Sequence, residues 1–135
     1  MKASTMTLGI LFGLFLSIGC KKSSNSSSSE VNLVVQTNPS SGSFLLPSIE
    51  PFNLTVTITS TMPPNGVKIE VTAKKDDGSG SAPFYTTSVN STTSLNNFTI
   101  TNTPVGVQIL VEIKVTSLSK SSNQWTGSYH YSRKS

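Results

Sequence analysis

From Val31 onward the chain alternates apolar and polar side chains with a period of two, and no stretch keeps a helical period. Val31, Leu33 and Val35 open a first strand, which the turn cluster Asn38-Pro39-Ser40-Ser41-Gly42 closes. Phe52, Leu54, Val56 and Ile58 then point one way, and Asn53, Thr55, Thr57 and Thr59 the other. Such a strand buries one face and presents β-branched polar side chains on the other. After Met62-Pro63-Pro64-Asn65-Gly66, the apolar set Val67, Ile69, Val71 and Ala73 alternates with Lys68, Glu70, Thr72 and Lys74. The turn Asp76-Asp77-Gly78-Ser79-Gly80-Ser81 follows, with Asp77-Gly78 as a hairpin signal. Phe84–Val89 alternates weakly and reads as an edge strand; Asn97–Thr101 carries Phe98 and Ile100. The strongest alternation is Val107, Ile109, Val111, Ile113 and Val115. A last strand puts Trp125, Gly127, Tyr129 and Tyr131 on one face and Thr126, Ser128, His130 and Ser132 on the other.

About seven short strands separated by turn signals predict an all-β domain over residues 31–135, an antiparallel β-sandwich, with a closed barrel as the alternative. The segments Leu54–Ile58, Pro63–Gly66, Val67–Val71 and Lys75–Gly78 resemble strands B and C of a fibronectin type III domain. Thr92–Ser94, Phe98–Ile100, Pro104 and Val107–Val115 resemble strands E and F. The resemblance covers roughly residues 50–118 and implies an Ig-like or fibronectin III-like fold.

The N-terminus follows a different pattern. Met1-Lys2 is a basic start, Leu8–Ile18 is an apolar run, and Gly19 precedes the single cysteine, Cys20. A run this short falls well below the roughly 20 apolar residues of a membrane-crossing helix and fits a secretory signal peptide. Leu16-Ser17-Ile18-Gly19-Cys20 resembles the lipobox of bacterial lipoproteins. That resemblance implies removal of residues 1–19 and lipidation of Cys20. It further implies a membrane partner reached through the lipid. Lys21 stands where an Asp would retain the protein at the inner membrane, so the expected location is the cell envelope, at the outer membrane of a diderm bacterium. Residues 21–30, KKSSNSSSSE, are too polar to bury surface and read with Cys20 as a Ser-rich tether. Its expected reach is about 17 Å as a random coil.

Composition then narrows the function. The formal charge of +4 overstates the domain, because Lys2, Lys21 and Lys22 precede it. From Val31 on, seven basic and five acidic side chains leave +2, and Lys74-Lys75 is followed at once by Asp76-Asp77. Such a balance offers no basic face for nucleic acid. With Cys20 lipidated the domain has no thiol, and its stability rests on packing alone.

The chain offers few groups for chemistry. His130 is the single histidine, and its phase makes it a surface residue rather than a nucleophile's base. One His without free Cys falls short of a zinc set, and no cofactor is expected. Glu70 and Glu112 have the residue types of a glycosidase pair, but flanking Lys68 and Lys114 point to cross-strand ion pairing. Asp76–Gly80 lacks the spaced ligands of a calcium loop. There remains the aromatic set Trp125, Tyr129 and Tyr131, with Tyr85 as a possible extension. Inward, these residues are core; outward, they form a stripe able to stack on a glycan or anchor a protein partner. The expected role is a non-catalytic binding, adhesion or spacer module at the envelope. The alternatives are carbohydrate binding through that stripe, or an accessory subunit of an envelope complex.

Overall fold

A computed structural model describes residues 29–135. The signal run, Cys20 and the tether up to Ser28 lie outside the described residues. Seven strands form: β1 Val35–Asn38, β2 Phe52–Ile58, β3 Val67–Lys75, β4 Tyr85–Ser91, β5 Leu95–Ile100, β6 Gln108–Ser117 and β7 Gln124–Ser132. They make two antiparallel sheets, ordered β1-β2-β5 and β4-β3-β6-β7. The fold is a three-over-four β-sandwich. The hairpins β3–β4 and β6–β7 stay within one sheet, while β2–β3, β4–β5 and β5–β6 cross between sheets.

The alternation decides which side of each strand meets the other sheet. Leu54, Val56 and Ile58 of β2 face Val67, Ile69, Val71 and Ala73 of β3 and Ile109, Val111, Ile113 and Val115 of β6 across one core. All of these side chains are 3% exposed or less. Most are β-branched, and their stiff χ1 suits the pleated surface they fill. Among the described residues, this core runs from Leu33 to Tyr131.

Two positions depend on glycine. Gly66 has φ +81° and donates to the Pro63 carbonyl at 2.9 Å, and a Cβ there would run into the Ser91 carbonyl. Gly127 of β7 is needed for a different reason: the Trp125 indole lies over it, against the Ser41 hydroxyl, where a Cβ would sit.

The first strand begins later than the alternation suggests. Leu33 is buried, but Val31 and Val34 are exposed, and pairing with β2 starts at Val35. Residues 30–33 instead bond to the Asn123 side chain, which takes them off the ladder. The weakly alternating fourth segment is indeed an edge strand, β4.

Candidate functional site

Two members of the aromatic set are core. Tyr129 and Tyr131 are each 1% exposed. Tyr131 packs on Phe52 with ring centroids 4.3 Å apart, and its hydroxyl shares a 2.7 Å hydrogen bond with the buried Thr103. Burial raises the Tyr131 hydroxyl pKa to about 12 and pushes Tyr129 higher still. Of the two alternatives, the inward one holds for Tyr129 and Tyr131, which have no surface to offer a ligand. Trp125 is half-buried, folded along β7 and over Gly127. Tyr85 sits on β4, at the opposite edge of the four-stranded sheet from Trp125. Burial raises its pKa too. The inward phase of β7 follows from its register, because Tyr129 pairs with Val111 and Tyr131 with Ile109, both core residues.

Four charged groups on the outer sheet face pair off. Lys68 meets Glu70 at 3.2 Å along β3, and Lys74 meets Glu112 at 2.8 Å across to β6. Glu112 thus pairs across strands, but with Lys74 rather than the flanking Lys114, and Glu70 pairs with Lys68 within one strand. A groove of about 690 Å³ runs over this face between Glu70, Glu112, Thr126 and Ser128. His130 is only partly exposed; its Nε2 lies 3.0 Å from the Asp76 carboxylate, and its ring stacks on Phe44 at 4.2 Å. Asp77 accepts from the Ser79 backbone N–H at 3.0 Å, and hydrogen bonding from Ser79 lowers its pKa. That loop is a turn closed on itself. Among the described residues, no three His, Cys, Asp or Glu side chains cluster as metal ligands, and no helix is long and apolar enough to cross a membrane.

No protein-family model, curated protein or solved structure matches this chain. Function must therefore be read from its own geometry, and two features stand out.

The first is the root of the N-terminal segment. Asn123, 6% exposed in the β6–β7 turn, accepts from the Leu33 N–H at 2.9 Å. Its amide donates to the Val31 carbonyl at 2.9 Å and to Glu30 Oε1 at 2.6 Å. One buried side chain thus fixes the point where the preceding chain leaves the sandwich. Beside it, Val31, Met62, Pro64 and Lys120 line a second groove.

The second is a strap between β1 and β2. Residues 42–48 run along the outer edge of β7. The N–H groups of Gly42, Leu45 and Ser48 donate to the carbonyls of Ser128, His130 and Ser132 at 2.7, 2.9 and 3.1 Å, and the His130 N–H donates to Ser43 at 2.9 Å. The strap occupies an edge that would otherwise be open to pairing. It leaves Phe44, Leu46 and Ile49 exposed at 71%, 86% and 62%. Reading by alternation overlooks this element. Its signal is the unbroken triplet Phe44-Leu45-Leu46 between two turn clusters, which fits neither a helical nor a strand period.

Proposed function

We propose that this protein is a lipid-anchored envelope protein, held through Cys20 at the outer membrane, whose sandwich is a non-catalytic binding or spacer module. The observation that carries the reading is the order Leu8–Ile18, Gly19, Cys20, then a Ser-rich stretch. The Asn123 clamp supports it, because it gathers the N-terminal segment at one pole of the sandwich, where a tether can leave without crossing the fold. The mutual pairing of Lys68, Glu70, Lys74, Glu112, Asp76 and His130 also supports it, since these groups stabilise a surface rather than converge on a substrate. A fibronectin III-like classification is supported by the sheet assignment. The segments resembling strands B and E share one sheet, and those resembling C and F share the other.

The deciding experiment is fatty-acid labelling and fractionation of cells expressing the full chain. The wild type should take up label and sediment with outer membranes, and Cys20→Ala should do neither. Equal labelling of the two would sink the anchor. A second reading, an accessory subunit of an envelope assembly, is favoured by β4, an edge strand without a charged residue in Tyr85–Ser91. In-cell crosslinking that returns a stoichiometric neighbour would select it over a free-standing module.

A further inference from the structure

We infer that the strap at residues 43–49 is a lipid-contacting edge, and that the sandwich lies with its β7 side against the bilayer. This rests on the anchored reading above. Phe44, Leu46 and Ile49 are large apolar side chains left 71%, 86% and 62% exposed within six residues, which is the kind of surface that marks a contact. Their backbone is fixed to β7, so they are held outward and cannot fold in to the core.

The chemistry and shape favour lipid over a protein. The side chains project from an edge, and a strap of seven residues falls short of the roughly 800 Å² per partner of a standard protein interface. A fluid acyl layer accepts protruding apolar groups without a matching cavity. Residues 31–49 contain no charged side chain. The next acid, Glu50, is paired with Arg133 at 3.1 Å, and the Lys134 N–H donates to the Ser48 carbonyl at 3.0 Å beside it. No unpaired carboxylate on this strap opposes lipid phosphates, and Lys134 favours them.

The length of chain before the domain permits the geometry. Asn123, the clamp, and His130, which stacks on Phe44, are seven residues apart along β7, roughly 23 Å at the strand rise. The ten residues from Cys20 to Glu30 span at most about 33–36 Å when extended. The lipid site and the strap can therefore touch one plane together, with the long axis of the sandwich parallel to it.

The test uses the chain from Cys20 onward, which keeps every core residue among those described, coupled through its sole thiol to maleimide-headgroup vesicles of phosphatidylethanolamine and phosphatidylglycerol. Chemical coupling replaces the cellular anchor, so this result stands apart from the labelling experiment above. Leu46→Trp and, on β5 at the edge away from β1 and the strap, Leu95→Trp are each compared with the parent, whose one tryptophan is Trp125. Brominated acyl chains should quench at least half of the emission added at position 46 and little of that added at 95. Leu46→Asp with Ile49→Asp, both at exposed sites, should preserve thermal unfolding and release the edge, so that Lys134 becomes accessible to amine-reactive label. Quenching at 95 but not at 46, or at neither position, would overturn the inference. So would a concentration-dependent dimer that the Asp pair abolishes, with no quenching at 46, because a second copy would then cover the strap.

Discussion

Replacing Asn123 with Ala tests how the domain holds the root of its N-terminal segment. The side chain makes three hydrogen bonds, to the Leu33 N–H, the Val31 carbonyl and Glu30 Oε1. Leaving the buried Leu33 N–H unpaired costs about 1–3 kcal/mol. The Glu30 contact is partly wet, and water replaces most of it on loss. If the segment instead detaches, the burial of Leu33 is forfeited, about 2 kcal/mol for a side chain now 6% exposed. Both routes converge on a loss of about 2–3 kcal/mol. For a domain of this size that lowers Tm by roughly 10 °C. Urea unfolding of the chain from Lys21 gives the magnitude. Amide exchange at Leu33 separates the routes, since detachment exposes that N–H while the core amides of β3 and β6 stay protected. Asn123→Asp is the control: it keeps an acceptor for Leu33, loses both donated bonds and sets a carboxylate beside Glu30, so it too should destabilise. A loss below about 0.5 kcal/mol with Leu33 protection unchanged would refute the clamp.

Alkaline pH should unfold the domain through its tyrosines. Between pH 10 and about 12 an unfolded Tyr131 has lost its proton while the folded one retains it, so stability is intact below pH 10 and falls as pH rises through this window. Each such tyrosine contributes a slope of about 1.4 kcal/mol per pH unit; Tyr131→Phe should flatten it in urea titrations, and an unchanged slope would contradict the burial. Gly127→Ala forces the Trp125 indole off β7, so emission should shift to longer wavelength with a loss of about 1–3 kcal/mol; an unaltered spectrum would place the ring elsewhere. Ile113→Ala opens a cavity among core residues that are nearly inaccessible, and equilibrium unfolding should register a loss of about 2–5 kcal/mol. Leu46→Ala, at an 86% exposed position, should stay within about 0.5 kcal/mol of the parent; a larger loss would mean that the strap is part of the core.

Much of the fold is legible because a two-residue period is a local property. Leu54, Val56 and Ile58, or Ile109 through Val115, must all lie on one side of their strand, and burying that side is the dominant gain. The same rule places Tyr129 and Tyr131 in phase with each other. It does not say which phase faces inward, since aromatic rings suit a core and a contact surface alike. Their phase is decided by the register of the β6–β7 hairpin, which sets Tyr129 beside Val111 and Tyr131 beside Ile109, and by the second sheet that covers that side.

Residues 43–49 and Asn123 were beyond local reading for a related reason. The strap carries no period because only its backbone is fixed, and the carbonyls it bonds lie more than 80 residues away on β7. Asn123 looks like any turn asparagine until the N-terminal segment arrives over it. By itself, the sequence determined an all-β chain of short strands, near neutral over its domain, behind an apolar run and a lone cysteine. Only the tertiary structure decided that the tyrosines are buried, that the N-terminal segment leaves from one clamped pole, and that an apolar strap is left outside. Strand phase is written in neighbouring residues, whereas exposure depends on which distant strand or edge comes to cover them.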